Sequence, residues 1–156
     1  MLPTLRLGFL LAPPSLRPAL RKAKLVTDWQ TSGPMQDALA EFIASGAFAR
    51  HIRRTRRTYA ERHQLIASIV DTELADRLVR VPSWAGIHIT ALLRPEVRRT
   101  DAEVLELARR RGVEMTLPVS AYAVTRAPQQ GLVIGYGAVR TERIPEGFRR
   151  LRECLG

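Results

Sequence analysis

A long helical pattern in the middle of the chain places the strongest constraint on its fold. From Ala47 to about Leu74, apolar and aromatic residues recur at helical spacing and predict one continuous amphipathic helix. The residues of this stripe are Phe48, Ile52, Thr55, Tyr59, Ile66 and Ile69. Arginines occupy much of the remaining surface, at positions 50, 53, 54, 56, 57 and 62. A cationic run of this kind is usually a solvated face, and we favour that interpretation over a nucleic-acid groove.

The hydrophobic pattern changes on the C-terminal side of this helix. Apolar segments at 78–81, 87–93, 113–117 and 132–139 predict strands, and an irregular loop is expected over 120–130. Thr100 and Glu103 form a capping box that opens a helix over 100–111. Thr141 and Pro145 open a final helix, whose apolar residues are Ile144, Phe148, Leu151 and Leu155. The order β-β-α-β-β-α predicts a small sheet with helices on one face.

The N-terminal side predicts one strand and two helices. Residues 5–11 (LRLGFLL) indicate a short buried strand, followed by a helix over about 16–28 with Ser15 as its cap. A second helix begins near Pro34 and ends at Gly46. We expect the segment 1–46 to leave an exposed apolar patch that includes Phe9, Leu10, Phe42 and Ile43.

The chain of 156 residues carries 25 basic against 15 acidic residues, a net charge of +10, and Lys22 and Lys24 are its only lysines. This balance fits either contact with phosphates or an ordinary arginine-rich surface. Hydrophobic residues make up 46%, enough for a core, and no apolar run approaches the roughly 20 residues of a membrane helix. The single cysteine, Cys154, excludes an internal disulfide. We therefore expect a soluble, cytoplasmic protein with no membrane contact.

No catalytic or metal-binding constellation emerges from the spacing of residues. His51 and His63 lie about three helical turns apart on the long helix, so they cannot share a metal ion. His88 falls in a predicted strand, where a satisfied or partly exposed imidazole is more common than a ligand. The sequence also contains no phosphate-binding or nucleophile motif.

The opening segment LPTLRLGFLLAPP nevertheless resembles the stretch that follows the cofactor lysine in fold-type I pyridoxal-phosphate enzymes, the aspartate-aminotransferase superfamily. The matching residues are Pro3, Leu5, Arg6, Leu7, Gly8, Phe9, Ala12 and Pro13, with Thr4 in place of the usual glycine. Counting back from Arg6, the Schiff-base lysine would lie just before Met1. The resemblance therefore implies a chain that begins after this lysine and is not catalytic by itself.

Three further segments resemble the MocR-type regulators of the GntR family, which fuse an N-terminal winged helix-turn-helix to an aminotransferase-like effector domain. They are 40–62, the sequence A-G-I-H at 85–88, and G-L-V-I-G-Y-G-A at 131–138. The resemblance implies an α/β fold with two parts. Residues 1–46 would be the remnant of the large cofactor-binding domain. Residues 47–156 would form the interdomain helix and a C-terminal small domain with a mainly antiparallel sheet.

The resemblance also assigns roles to individual positions. Arg6 matches the arginine that binds the cofactor phosphate, and a guanidinium suits that dianion because it donates two parallel hydrogen bonds. Val133 falls where many aminotransferases carry the arginine that binds a substrate carboxylate. Either amino-acid turnover has been lost, or another arginine, with Arg126 the nearest candidate, has taken this role. Other cofactor contacts lie upstream in the family, so we expect pyridoxal phosphate in the complete protein and none held stably by this chain.

Three hypotheses for the function follow. The leading one is a truncated effector-sensing domain of a MocR-type regulator, whose complete protein is a homodimer. It would sense an amino compound or pyridoxal phosphate and bind DNA only through an N-terminal winged helix outside this chain. The alternative is the C-terminal fragment of a true class I/II aminotransferase. The third is an independent interaction module that has lost the cofactor.

Overall fold

The computed structural model describes residues 7–27, 29, 32–84, 86–114, 117–122 and 129–156. The chain divides into two units, Met1–Arg54 and Thr55–Gly156, with the boundary inside a long helix. The assignment of residues 1–46 to a large-domain remnant rests on resemblance and stays a prediction.

Two complete helices dominate the described part of the first unit. A 3-10 turn over Pro14–Leu16 leads into α1 (Arg17–Thr27), and α2 spans Gly33–Ala44. Ser15 lies inside the 3-10 turn, so it does not cap the helix as predicted. As predicted, Pro34 lies at the start of α2 and Gly46 follows its end. Gly46 adopts a φ of 71°, and its N–H donates to the Ile43 carbonyl at 3.0 Å.

The predicted buried strand over residues 5–11 is not present in the described residues. Residues 7–11 have irregular backbone, and the side chains of Phe9 and Leu10 are 91% and 72% exposed. A strand needs a neighbour to pair its N–H and C=O groups, and the described part of the first unit contains no other strand. Leu5 and Arg6 lie outside the described residues.

The first unit exposes apolar side chains largely as predicted. Phe9, Leu10 and Ile43 are all exposed. The prediction is wrong for Phe42, which is half-buried because its ring meets the Phe48 ring edge-on, with centroids 5.9 Å apart.

The second unit contains a four-stranded antiparallel sheet covered by helices. Its elements are the C-terminal part of α3 (Ala47–Thr72), β1 (Leu78–Arg80), β2 (His88–Leu93), α4 (Asp101–Arg110), β3 (Leu117–Pro118), β4 (Gly131–Gly135) and α5 (Ile144–Leu155). The strand order in the sheet is β1-β2-β4-β3. Every pairing is antiparallel. This confirms the predicted β-β-α-β-β-α order and the mainly antiparallel sheet.

Two predicted strands differ from the structure at one end. The pairing of β4 with β2 stops at Gly135 opposite His88, so the predicted strand over 132–139 ends early. The Val113 N–H donates to the Ala108 carbonyl and closes α4 instead of joining the sheet. Of the predicted strand over 113–117, the described residues show a strand only at Leu117, in β3, and residues 115 and 116 lie outside the described residues.

The core lies between one face of this sheet and the helices. Alternate residues of the central strands, Ile89 and Ala91 on β2 and Leu132 and Ile134 on β4, are buried on this face. The helices contribute buried apolar residues of α3, α4 and α5, among them Ile66, Ile69, Val70, Val104, Ala108, Ile144, Phe148, Leu151 and Leu155. The predicted apolar stripe of the final helix is thus confirmed, as is the capping box, in which the Glu103 carboxylate accepts the Thr100 N–H at 2.8 Å.

The exposed face of α5 makes the stability of the second unit sensitive to acid. Hydrogen bonds from Arg149 and Arg150, at 2.8 and 2.7 Å, lower the pKa of Glu146 from 4.5 to about 2. A lowered pKa stabilises the fold above pH 4.5, and this contribution is lost as the pH falls towards about 2. We expect Glu146→Gln to destabilise the protein at neutral pH and the difference from wild type to shrink below pH 4.5. Urea titrations of both proteins across this range measure it, and a difference independent of pH would contradict the assignment.

Candidate functional site

The position predicted to replace the carboxylate arginine lies at the centre of the sheet. Val133 is opposite Thr90 on β2 and opposite Leu117 on β3. Its neighbours along β4, Leu132 and Ile134, are buried in the core, so the half-buried Val133 side chain lies on the other face of the sheet. None of the residues of β2, β3 or β4 is an arginine. This face therefore offers methyl and hydroxyl groups and no guanidinium from its own strands.

The two arginines that the sequence assigned to ligand binding cannot be placed in this geometry. Arg6 and Arg126 both lie outside the described residues. The predicted contacts of Arg6 with the cofactor phosphate, and of Arg126 with a carboxylate, stay predictions.

A buried carboxylate holds the start of β4. Asp101 is 1% exposed, at the first position of α4. One carboxylate oxygen accepts the Ser120 hydroxyl at 2.7 Å, and the other accepts the N–H groups of Ser120 and Gly131 at 2.9 and 3.1 Å. The Gln130 side-chain oxygen in turn accepts the Asp101 N–H at 2.9 Å. The negative charge also lies at the positive end of the helix dipole. Asp101 thus anchors the strand that carries Val133 to α4.

Close packing at the same point requires glycine. A Cβ atom added to Gly131 would lie 2.8 Å from the Ala91 carbonyl oxygen, too near for any side chain. No feature of the sequence pattern singled out Asp101. An acidic residue in the first turn usually faces solvent, so spacing gave no signal of its burial.

A second polar cluster joins α3 to the segment that follows β4. The Tyr136 side chain is buried, and its hydroxyl donates to the Gly86 carbonyl at 3.0 Å. The His63 Nδ1 atom lies 3.2 Å from the Tyr136 hydroxyl oxygen. A carbonyl oxygen can only accept, so the Tyr136 hydroxyl gives its proton to the hydrogen bond with Gly86. In the contact with His63 the hydroxyl oxygen must therefore accept, and Nδ1 must carry the proton that it donates. Burial raises the pKa of Tyr136, which keeps the phenol neutral.

Arg62 differs from the other arginines of α3. Its Nη1 atom donates to the Tyr136 and Gly137 carbonyls at 3.1 and 3.0 Å, and its Nε atom donates to the Thr141 hydroxyl at 3.3 Å. The prediction that Arg62 lies on a solvated cationic surface is wrong, because its side chain is half-buried and donates to backbone carbonyls after β4. The remaining arginines of α3, at positions 50, 53, 54, 56 and 57, are exposed as predicted.

The histidines do not form a metal site. His51 lies near the Phe42 ring, His63 contacts Tyr136, and His88 is exposed at the start of β2. Within the part of the chain that the structure describes, no group of three histidine, cysteine, aspartate or glutamate side chains is placed to hold a metal ion. The described helices also include none long and apolar enough to cross a membrane.

The architecture is that of part of a pyridoxal-phosphate aminotransferase. The α-aminoadipate aminotransferase LysN from Thermus thermophilus superposes with a TM-score of 0.82 at 25% identity, covering 98% of this chain and 38% of the enzyme. The kynurenine aminotransferase of Pyrococcus horikoshii gives a TM-score of 0.75 at 22% identity, over 91% of this chain and 34% of the enzyme. The second likeness concerns the fold alone.

The sequence relatives, in contrast, are transcription regulators. The probable rhizopine catabolism regulatory protein MocR of Rhizobium meliloti is 35% identical over 99% of this chain and 31% of its own length. The uncharacterized HTH-type regulator YhdI of Bacillus subtilis is 31% identical over 97% of this chain and 32% of its own length. No protein-family profile matches the chain.

Over nearly its whole length, the chain therefore matches the C-terminal, aminotransferase-like domain of MocR-type helix-turn-helix transcription regulators of the GntR family. The chain spans about a third of the length of the curated relatives that it matches.

Proposed function

We propose that this chain serves as the effector-sensing domain of a pyridoxal-phosphate-dependent transcription regulator and has no catalytic activity alone. The proposal rests on a sequence similarity and a structural similarity that cover the same residues. The sequence aligns with a regulator over 99% of the chain, and the backbone superposes on an aminotransferase over 98% of it.

Within this proposal, Arg6 binds the cofactor phosphate and residues outside this chain supply the lysine. Pyridoxal phosphate, when bound, supplies an aldehyde that captures amino groups. The sheet face around Val133 fits sensing better than turnover, because its strands offer no guanidinium to orient a substrate carboxylate. The effector would be an amino compound or the cofactor itself.

The partners follow from the relatives. A regulator of pyridoxine biosynthesis, PdxR of Corynebacterium glutamicum, is 29% identical over 87% of this chain and 28% of its own length. By analogy with the HTH-type relatives, we propose that the complete protein binds DNA through an N-terminal helix-turn-helix. By analogy with the aminotransferases, we propose that it is a homodimer.

One observation favours the alternative, the C-terminal part of a true aminotransferase. The LysN structure, at a TM-score of 0.82, was determined with N-(5'-phosphopyridoxyl)-L-leucine, a cofactor–amino acid adduct. The nucleotide sequence upstream of the first codon separates the two proposals. A winged-helix region in frame supports the regulator, and an aminotransferase region without one supports the enzyme.

Cofactor binding provides the direct test. We expect the 156-residue chain, incubated with pyridoxal phosphate and dialysed, to keep no visible absorbance near roughly 420 nm, where the lysine-bound cofactor absorbs. Its lysines, Lys22 and Lys24, lie on α1. In the longer protein that contains the upstream lysine, we expect the band to appear. There, Arg6→Gln should weaken cofactor affinity by about 10- to 100-fold, because a charged hydrogen-bond donor is lost.

The matched control is Arg21→Gln, which removes an exposed cation of α1 and should leave cofactor affinity unchanged. A band that survives dialysis of the short chain would contradict the proposal. So would a cofactor affinity that is equal in the Arg6→Gln and Arg21→Gln proteins.

DNA binding by this chain alone should be weak and independent of sequence. The exposed cations Arg50, Arg53, Arg54 and Arg57 can neutralise phosphates, so affinity should fall steeply as salt is raised. Sequence-specific contact would require a helix that presents base-reading side chains next to a turn. Titration against a promoter fragment and a scrambled fragment, at low and at physiological salt, measures both properties. A preference for one sequence that persists at physiological salt would make the arginine-rich helix a recognition surface and overturn this assignment.

A further inference from the structure

A cavity of about 440 Å³ lies in the second unit, between α3 and the segment that precedes β2. Its volume falls within the roughly 300–1,000 Å³ of small-molecule sites. The side chains that matter here are those of Arg56, Tyr59, His63, Ser83, Trp84 and Tyr136. Val133 does not line this cavity, and its side chain lies on the opposite face of the sheet from the core residues.

The cavity has an aromatic wall that is incompletely packed. The Tyr59 and Tyr136 rings meet edge-on, with centroids 6.4 Å apart, and this contact fixes their orientation. The indole of Trp84, on the segment before β2, is 93% exposed. Tryptophan buries a large apolar area when it finds a partner, so a flat ring placed against Trp84 would remove much of this surface from water.

Two polar groups of the cavity lack partners. The Ser83 hydroxyl oxygen is shielded from solvent and has no hydrogen bond among the described residues. Arg56 is exposed and takes part in none of the ion pairs of the described residues. A buried hydroxyl without a partner is costly, and a ligand that accepts its proton removes this cost.

The charge of the lining favours an anion. Arg56 carries a full positive charge, and none of the described residues that line the cavity is acidic. His63 uses Nδ1 for Tyr136, which holds the imidazole in place as part of the wall. A carboxylate can accept hydrogen bonds from a guanidinium and a hydroxyl together, whereas a cation would be repelled.

We propose that this cavity binds a small aromatic carboxylate. Its ring packs against Trp84 and Tyr59, and its carboxylate accepts hydrogen bonds from Arg56 and Ser83. The site is built wholly from residues of the second unit.

Fluorescence of Trp84 tests the site directly, because the chain has only two tryptophans. The other, Trp29, is exposed, so Trp29→Phe should leave the fold intact and Trp84 as the sole tryptophan, which can be excited apart from the tyrosines. Titration of this 156-residue protein with 3-phenylpropanoate should give a saturable change with a Kd on the order of 1 mM, as expected for a ligand of this size. The neutral amide, 3-phenylpropanamide, should bind about tenfold more weakly because the charged hydrogen bond is lost.

Three substitutions in the Trp29→Phe background separate a built site from adventitious contact with tryptophan. Arg56→Gln should weaken 3-phenylpropanoate binding about tenfold, and Ser83→Ala roughly threefold to tenfold. Arg57→Gln is the matched control, since Arg57 is the next cation of α3 and does not line the cavity, and it should change nothing. Circular dichroism of each variant checks that the fold is retained. The proposal is overturned by a titration without saturation, by equal affinities for the acid and the amide, or by equal effects of Arg56→Gln and Arg57→Gln.

Discussion

Replacing Asp101 by alanine is expected to lower the free energy of unfolding by about 3–5 kcal/mol. The carboxylate is buried and accepts three hydrogen bonds, two of them from the backbone N–H groups of Ser120 and Gly131. Alanine leaves these donors without an acceptor and removes the negative charge from the N-terminal end of α4. Urea unfolding followed by circular dichroism measures the loss.

Two comparisons make this result interpretable if the alanine protein does not fold. Asp101→Asn keeps the size and one accepting oxygen, so a smaller loss of about 2 kcal/mol is expected. Glu114→Ala, at an exposed position beyond α4, should change stability by less than about 0.5 kcal/mol. If Asp101→Asn were as stable as the wild type, the charge would have no part in anchoring β4.

Replacing Arg62 by methionine is the second large effect, with an expected loss of about 2–3 kcal/mol. Methionine retains much of the aliphatic volume but donates to neither the Tyr136 nor the Gly137 carbonyl, and the Thr141 hydroxyl also loses its partner. Because the guanidinium holds the backbone after β4 against α3, unfolding of the second unit should become easier. Thermal and urea unfolding both measure this loss of stability.

The charge-preserving variant distinguishes geometry from electrostatics. Arg62→Lys keeps the positive charge, but a single ammonium cannot reproduce the planar fork, so at least half of the loss should remain. Arg57→Met removes an exposed arginine that forms a long ion pair with Glu61, at 3.8 Å, and it should be almost neutral. Full stability of Arg62→Lys would mean that any cation suffices at this position.

Local sequence signals and hydrophobic periodicity correctly predicted the elements that depend on interactions between residues near in sequence or on a continuous apolar face. The long helix that begins at Ala47, the capping box of Thr100 and Glu103, and the buried stripe of α5 all appear where the sequence placed them. Periodicity failed where a strand depends on its neighbour. Residues 7–11 have the composition of a buried strand, but no described strand pairs with them. Likewise, β4 ends where its pairing with β2 ends.

The candidate site was predictable only through resemblance. The position of Val133 came from the segment G-L-V-I-G-Y-G-A, and the sheet places it between β2 and β3. Asp101 and Arg62 escaped prediction because both are charged residues on helices, where a solvent-facing position is the usual outcome. Their burial depends on backbone groups that are distant in sequence, namely those of Ser120, Gly131 and Tyr136. Hydrophobic spacing carries no information on such contacts.

Several arginines of the second unit repeat the pattern of Arg62 by donating to backbone carbonyls far along the chain. Arg94 donates to Ala75 at 2.7 Å, Arg99 to Cys154 at 2.9 Å, and Arg150 to Arg111 at 3.0 Å. These side chains connect segments that are distant in sequence. Because a carbonyl acceptor is neutral, each guanidinium keeps its full positive charge, and the formal charge of the molecule stays at +10. Raising the ionic strength should therefore weaken its attraction for polyanions well before it weakens these short-range contacts.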